Sequence, residues 1–405
     1  CTVNTEKESK YQKLFNIDHL PDNIFVSPGT NAPNRMGFSK YASYINSITE
    51  QKYGRPLILA MSADLSESTN ISGFAKGYGG ARDKGFYDKK SNTKSPLFPQ
   101  GITEFTNAGM MAGAATVNFS AKPYKSFSGF YGAVSTYGSF SYLKYGPLRL
   151  FSQLAQDSEL KVGKIIWVVG HSGPETAEDS RTHYGIFAPG VTQLFPNGSI
   201  INIHPWEHNE VAPSLTAALK TGVSIIAIHL TRPSIVIPDR HKMGIASYKD
   251  SAKGAYIIKN YDEKKPMKGI VIIRGTAPTN SLMQILPSLN NKGPNIKIIA
   301  AVSMELFKAQ NQKYQESIIS STEWNDCMII TNTSLKGMGS WIKNRVVAKY
   351  SLSPDFDNRW RTGGSVDQII AESRLDSLSI LNAIKRFSDE RDKRLELLKK
   401  DIPNY

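Results

Sequence analysis

Short apolar runs alternate along the chain with polar, glycine-rich loops and with stretches of helical periodicity. Continuous apolar runs occur at 56–62, 164–170, 223–230, 269–273 and 297–302. Such runs, which lack polar alternation, indicate strands buried on both faces of a parallel sheet. Apolar residues at helical spacing in 36–51 and 209–219 predict helices between them. The pattern predicts an α/β fold, with a second unit of strand, glycine-rich turn and helix beginning at residue 269.

Two polar stretches divide this pattern. Residues 1–23 are polar and charged and are predicted to be an N-terminal arm or linker, and 241–267 have the charged, irregular character of an interdomain linker. We therefore expect one domain over 24–240 and a second over 268–405. Residues 73–100, rich in Gly, Lys and Asp, predict a long loop without a nucleotide-binding glycine motif.

Composition narrows the class of protein. The 405 residues are 40% hydrophobic and 21% charged, which is ordinary for a globular protein. No apolar run approaches a membrane span and the N-terminus has no signal-like segment, so we expect a cytoplasmic protein without a membrane partner. Two cysteines far apart indicate neither a disulfide framework nor a metal site. A chain beginning with Cys1 is expected to be trimmed or to be a piece of something longer.

The formal net charge of +14 points to an anionic ligand. The positive residues are dispersed, without a basic block or a recognisable nucleic-acid motif. Small phosphorylated substrates are therefore preferred over nucleic acid as the partner.

Residues 170–190 concentrate ionisable side chains directly after an apolar run. The loop reads GHSGPETAEDSRTHYGIFAPG and carries His171, Asp179 and His183. Because ligands in open α/β sheets bind beyond the carboxyl ends of strands, these residues form a candidate site. Taken singly, His171 is equally well explained as a hydrogen-bonded end cap, and Asp179 as part of a solvated turn.

The spacing of these residues resembles the transketolase signature, in which a histidine at a strand end is followed by Asp and then by Thr-His. Thr182 and His183 match that pair, whereas Ser180 and Arg181 replace the usual Gly and Pro. The similarity continues in an Arg before a helix, in Ser-Ala-Asp-Leu at 62–65, and in an Arg after a later strand. It implies that Asp64 lies near the cofactor and that Asp179 recognises an acceptor hydroxyl. It also implies four phosphate contacts: Arg35, Ser68, His171 and Arg232. Without the resemblance, Arg35 is interpreted as a surface arginine and Ser68 as a helix cap.

Glu104 precedes a run of small residues that predicts a closely packed helix. A carboxylate there could simply favour the helix dipole. The resemblance implies instead that Glu104 contacts N1′ of thiamine diphosphate and promotes loss of the thiazolium C2 proton. It further implies that Phe127 and Phe130 hold the aminopyrimidine, although aromatic residues at this spacing are often ordinary core. His183 would contact the cofactor, and His171 and His183 would take part in proton transfers.

The resemblance covers roughly 24–390 and falls on the pyrimidine-binding and C-terminal domains of transketolases. It implies two consecutive doubly wound domains with mostly parallel sheets. The Gly-Asp-Gly motif that binds Mg²⁺ and diphosphate is missing, since no Gly-Asp pair occurs. We therefore expect the Mg²⁺ ligands on another polypeptide, in a dimer or heterotetramer.

The resulting hypothesis is ketol transfer between phosphorylated sugars by one half of a split or cleaved transketolase. The alternatives are a subunit of a related thiamine diphosphate enzyme, similar to the β subunit of 2-oxoacid dehydrogenases or to deoxyxylulose phosphate synthase, and a non-catalytic regulatory subunit. Three other histidines lack comparable partners and are interpreted as structural: His204, His208 and His229.

Overall fold

The structure is a computed structural model that describes residues 11–63, 66–78, 85–361 and 363–401. The predicted cofactor contact Asp64 lies outside the described residues. In chain order, the strands are β1 (Asn31–Ala32), β2 (Ile58–Ser62), β3 (Tyr131–Thr136), β4 (Ile165–Val169), β5 (Ile200–Ile203), β6 (Ile225–His229), β7 (Ile235–Val236), β8 (Ala255–Lys259), β9 (Ile270–Arg274), β10 (Lys297–Ala301) and β11 (Cys327–Thr331). The helices are α1 (Asn34–Tyr53), α2 (Glu104–Thr116), α3 (Tyr145–Asp157), α4 (Ala188–Val191), α5 (His208–Leu219), α6 (Thr276–Lys292), α7 (Met304–Lys308), α8 (Gln312–Ile318), α9 (Arg345–Tyr350), α10 (Val366–Glu372), α11 (Ser377–Asp389) and α12 (Arg391–Asp401).

The first sheet has five parallel strands in the order β2-β3-β4-β6-β5. Every residue of these strands is buried, as the continuous apolar runs predicted for β2, β4 and β6. One face packs against α1 and α5 through side chains such as Tyr41 and Leu215. The other face packs against α2 and α3 through side chains such as Met111 and Phe151. Parallel strands end together, so five loops meet at one edge of this sheet.

The second sheet is mixed, in the order β11-β9-β10-β8. Strands β11, β9 and β10 run parallel, and β8 pairs antiparallel with β10. Helix α6 packs on one face beside Val271 and Ile273. Helix α7 packs on the opposite face, where Phe307 joins Ile270 and Ile272. The two sheets with helices on both faces confirm the predicted α/β class.

Two predicted connecting segments contribute to the fold. The described part of the predicted arm, 11–23, forms short 3-10 turns, and Tyr11 and Phe15 are buried in the core of the first sheet. The predicted linker 241–267 contains β8, an edge strand of the second sheet. Sequence reasoning missed the role of both segments because their apolar residues occur only in short pairs among charged residues. Within the described residues, none of the helices has the length and apolar character needed to cross a bilayer.

Candidate functional site

The loops at the carboxyl edge of the first sheet bring together residues from distant segments. Arg35 lies in the first turn of α1, Ser68 follows β2 and His171 follows β4. The Arg35 guanidinium donates a hydrogen bond to the Ser68 carbonyl oxygen. His171 Nε2 lies 3.1 Å from the same carbonyl and 3.2 Å from Arg35 Nη1. The carbonyl only accepts and the guanidinium only donates, so the two contacts suit opposite tautomers of His171.

Tyr137, directly after β3, packs between both histidines. Its ring stacks on His171 with centroids 3.9 Å apart and meets the edge of His183 at 4.4 Å. The Tyr137 hydroxyl and the Ser68 hydroxyl are 2.6 Å apart. Tyr137 therefore fixes the orientation of His171, although it was not among the residues predicted from sequence.

The acidic residue at this edge is Asp179. It forms an ion pair with Arg232, and its carboxylate lies 3.7 Å from His183 Nδ1. The side chains of Arg232 and Asp179 are 35% and 23% exposed, so a ligand from solvent can reach them. The structure thus brings together the predicted substrate residues: Arg35, Ser68, His171, Asp179 and Arg232.

The charged side chains at this edge carry more positive than negative charge. Burial lowers the pKa of Arg35, and the neighbouring positive charge of Arg232 lowers it further. Arg232 has Asp179 as an ion-pair partner, whereas Arg35 has no acidic partner among the described residues. An anion placed between the two guanidinium groups would relieve their repulsion.

His171 lies below this surface, fully shielded from solvent. Burial lowers the pKa of His171 to about 3, with the charges of Arg35 and Arg232 acting in the same direction. The ring is therefore neutral at physiological pH. In this arrangement His171 supports Arg35 and Tyr137 rather than facing a ligand directly.

Glu104 lies at the same edge as the first residue of α2. It is only 6% exposed, and its Oε1 accepts a hydrogen bond of 2.9 Å from the Thr136 hydroxyl at the end of β3. This is its one hydrogen bond to the described residues. Because Thr136 directly precedes Tyr137, the Glu104 carboxylate lies next to His171 and His183 along the sheet edge.

Lys144 is a second residue that sequence reasoning missed. It is fully buried, and Nζ donates to the carbonyl oxygens of Val134 and Val168 at 3.1 and 2.9 Å. Burial lowers the pKa of Lys144 well below its usual range, while the negative charge of Glu104 opposes that shift. Lys144 thereby ties β3 to β4 beneath the carboxylate. The sequence offers no signal for it beyond one lysine in an aromatic segment.

The structure does not bring Phe127 and Phe130 to Glu104. Both residues precede β3, which begins at Tyr131, whereas Glu104 contacts Thr136 at the other end of that strand. Phe127 stacks on Tyr131 in the core, and Phe130 meets Phe119 edge to face. Five steps of about 3.3 Å separate the two ends of β3. The contacts of Phe127 and Phe130 are therefore those of ordinary core residues.

Glu175 is a further ionisable residue within the 170–190 loop. Its side chain is buried, and neither carboxylate oxygen has a hydrogen bond of good geometry to the described residues. Burial raises the pKa of Glu175 to about 7, and the nearby Asn332 amide offsets only part of that effect. Glu175 thus links this loop to the segment after β11.

The residues present meet part of what thiamine diphosphate requires. Glu104 offers a buried carboxylate with one oxygen engaged by Thr136, which fits the N1′ side of an aminopyrimidine. The predicted aromatic pair is not beside it. Among the described residues, no group of three or more His, Cys, Asp or Glu side chains is placed to hold a metal ion.

Comparison with known proteins agrees with the fold. Residues 46–236 match the family model for the transketolase pyrimidine-binding domain. A transketolase of Nostoc sp. is 26% identical over 267 residues, a match spanning 65% of this chain and 34% of that protein. A Pichia stipitis transketolase solved with sedoheptulose 7-phosphate superposes with a TM-score of 0.66 at 18% identity, over 97% of this chain and 50% of that chain.

A shorter solved chain matches nearly end to end. It is described as a split gene transketolase, inactive β4 tetramer, and superposes with a TM-score of 0.54 at 16% identity, over 87% of this chain and 99% of that one. By contrast, the chain spans half or less of the Nostoc and Pichia proteins. Residues 46–236 are therefore similar to the transketolase pyrimidine-binding domain, and the chain shares the transketolase fold.

Proposed function

We propose that this chain is the pyrimidine-binding and C-terminal part of a thiamine diphosphate-dependent transketolase, which transfers a two-carbon ketol unit between phosphorylated sugars. One observation carries the proposal: the arginine pair and the buried Glu104 share one sheet edge. A phosphate-binding group beside a carboxylate at a strand edge suits a phosphosugar enzyme better than an enzyme acting on uncharged substrates.

The arginine pair binds the substrate phosphate in this proposal. Arg35 contacts His171 and Arg232 contacts Asp179, both in the loop after β4. Among the described residues, Asp179 alone balances the charges of the two arginines. Phosphate oxygens accept hydrogen bonds from two guanidinium forks at once. Asp179 and His183, both partly exposed, then face the sugar hydroxyls.

Glu104 would contact the aminopyrimidine of the cofactor and act as its acid–base group. Thiamine diphosphate supplies carbanion chemistry when it is bound. Glu104 holds a proton at the N1′ side of the aminopyrimidine, with Thr136 fixing the carboxylate orientation through Oε1. Since His171 is buried and neutral, it serves as a positioning residue for Arg35 and Tyr137.

A partner polypeptide supplies the diphosphate and Mg²⁺ site. The surface beside Glu104 exposes large apolar side chains from α2, α3 and the segment before α2: Ile102, Phe105, Met110, Leu150 and Leu154. The Phe105 ring approaches Gly146, so the two helices present one continuous face. An exposed apolar face of this kind marks a protein interface. The split gene transketolase with the same fold provides a precedent for a chain of this length.

The test is thiamine diphosphate- and Mg²⁺-dependent ketol transfer from a ketose phosphate, using the chain together with its diphosphate-binding partner. We expect Glu104→Ala to reduce the rate by about 10²- to 10⁴-fold, the usual contribution of a positioned acid–base group. Glu316→Ala, in exposed α8, is the matched control and should retain the rate. Transfer that survives in Glu104→Ala contradicts the proposed role of this carboxylate.

A second candidate is a non-catalytic subunit of the same fold. It is favoured by the position of Phe127 and Phe130, which leaves Glu104 without the aromatic pair expected around an aminopyrimidine. An assembled complex whose cofactor binding and rate are both unaffected by Glu104→Ala would support this candidate. A complex that turns over pyruvate but no sugar phosphate would instead indicate a related thiamine diphosphate enzyme.

A further inference from the structure

A cavity of about 140 Å³ lies between the two sheets, outside the site at 170–190. The ends of β9 and β10 form one wall, and β5 with the segment 193–198 forms the other. The backbone N–H of His204 donates to the Val302 carbonyl at 2.8 Å and joins the two walls. None of the residues predicted from sequence to bind cofactor or sugar lines it.

The second sheet places this cavity where its topology favours a ligand. Helix α6 connects β9 to β10 on one face, and α7 and α8 connect β10 to β11 on the other. The connections therefore change sides at the carboxyl end of β9. Ligands of open α/β sheets bind in the crevice at such a point. Arg274, the last residue of β9, lines the cavity there.

Two buried polar side chains in the cavity wall have unused hydrogen-bonding atoms. Arg274 is 3% exposed, and its Nη1 and Nη2 donate to the Gly337 carbonyl and the Thr333 hydroxyl. Its Nε has no partner among the described residues, and neither has Nε2 of His204, which is 6% exposed. A buried polar atom left without a partner is destabilising, and a hydrogen bond to a ligand would remove that cost.

The charges of these groups fix what the ligand must offer. Burial lowers the pKa of Arg274 to about 9, so the guanidinium remains positive at neutral pH. Burial, together with the charge of Arg274, holds the pKa of His204 well below its usual range, so that ring is neutral. One cationic donor and one neutral imidazole suit a carboxylate better than a dianion.

Glu305 adds an acceptor to the same cavity. Its carboxylate accepts from the Ser303 hydroxyl at 3.1 Å and from the Asn202 backbone N–H at 3.3 Å. No ion pair joins Glu305 to Arg274 in the described part of the chain, although the Glu305 charge raises the pKa of Arg274. A cation and a carboxylate therefore line one cavity without neutralising each other by contact.

We propose that this cavity binds a small carboxylic acid that carries a hydrogen-bond donor on the adjacent carbon, an α-hydroxy or α-amino acid. The ligand carboxylate contacts Arg274 and His204, and its hydroxyl or ammonium group donates to Glu305. A cavity of about 150 Å³ accepts benzene, so a three-carbon acid of about seven non-hydrogen atoms is of suitable size.

Isothermal titration calorimetry on the full chain tests the proposal with L-serine, D-glycerate and propionate. We expect L-serine or D-glycerate to bind at least about tenfold more tightly than propionate, because propionate lacks the donor for Glu305. The tighter of the two acids identifies the donor as ammonium or hydroxyl. Absence of binding, or equal affinity for all three acids, would overturn the proposal.

Variants locate the site. Glu305→Gln should weaken binding of the preferred acid by about tenfold, whereas Glu316→Gln on exposed α8 should not change it. Arg35→Ala should leave the affinity for the acid unchanged, because Arg35 lies at the carboxyl edge of the first sheet. Weaker binding in Arg35→Ala would place the acid between Arg35 and Arg232. Unaltered affinity in Glu305→Gln would show that Glu305 does not accept a hydrogen bond from the acid. Either result refutes the proposal.

Discussion

The carboxyl edges of the two sheets both present arginine, yet they differ in exposure. At the first edge, Arg232 is 35% exposed and Arg35 lacks an acidic partner among the described residues. At the second edge, Arg274 is buried and donates to Gly337 and Thr333. The difference follows from the connections: a loop of some twenty residues follows β4, whereas α6 begins two residues after β9, across Gly275 with φ +99°. The carboxyl edge of a parallel sheet thus gives an exposed anion surface in one sheet and a small cavity lined by buried side chains in the other.

The largest change in stability is expected from Glu175→Gln at the first edge. A pKa raised from 4.5 to about 7 means that the folded protein binds the proton more tightly than the unfolded chain. The stability it contributes is complete below pH 4.5 and is lost as the pH rises through 7. Between pH 5 and 8 the wild type should therefore lose about 2–3 kcal/mol that the variant does not lose.

Urea unfolding of both proteins at pH 5 and pH 8 measures this difference. The exposed Glu178→Gln, in the same loop, is the control for removing a carboxylate. If the gap between Glu175→Gln and the wild type is the same at both pH values, the folded protein does not bind the Glu175 proton more tightly than the unfolded chain does.

Arg35→Ala should weaken substrate binding at the open edge. A hydrogen bond between charged groups contributes about 1.5–3 kcal/mol, so KM for a ketose phosphate should rise by roughly 10- to 100-fold with a smaller change in kcat. Steady-state kinetics of the assembled complex provide the test. Arg386→Ala, an exposed arginine on α11, is the control. A fall in kcat at constant KM would mean that Arg35 acts on the reacting atoms instead of on the phosphate.

Gly138→Ala should distort the first edge directly. A Cβ at Gly138 would lie 2.3 Å from the His171 carbonyl oxygen. This is a backbone atom, so relieving the clash requires a shift of the main chain. We expect a loss of about 1–3 kcal/mol in the free energy of unfolding. Gly109→Ala on α2, where no atom lies within 4 Å, should instead gain about 0.5–1 kcal/mol. Chemical denaturation that shows the same sign for both variants would contradict the close packing around His171.

Much of this edge could be predicted from sequence because its residues follow apolar runs. Ser68, His171 and Arg232 come after β2, β4 and β6, and parallel strands place their ends together. The contacts of Tyr137 and Lys144 could not be predicted, since they depend on the register of β3. That strand reads Tyr-Gly-Ala-Val-Ser-Thr, which is not an apolar run, so its limits and hence the position of Phe127 and Phe130 were hidden.

The second edge was less accessible to sequence reasoning. His204 and Arg274 are 70 residues apart, and each is unremarkable alone; only tertiary packing puts both in one cavity. For the same reason His204 was interpreted as structural. Its backbone hydrogen bond to Val302 fits that interpretation, while the lack of a partner for Nε2 among the described residues is the feature that sequence could not reveal.

Thr136→Val is expected to have the smallest effect and to separate orientation from charge at Glu104. The substitution preserves shape and removes the hydroxyl that donates to Glu104 Oε1 at 2.9 Å. A typical intramolecular hydrogen bond contributes about 1 kcal/mol net, so the rate of ketol transfer should fall about fivefold. Thr69→Val, another buried threonine whose hydroxyl contacts Ser62 and not Glu104, is the control for loss of a buried hydroxyl. If Thr136→Val reduced the rate as strongly as Glu104→Ala, the hydroxyl would be essential to the chemistry; a fivefold loss confined to kcat would show that Thr136 only orients a carboxylate that acts by itself.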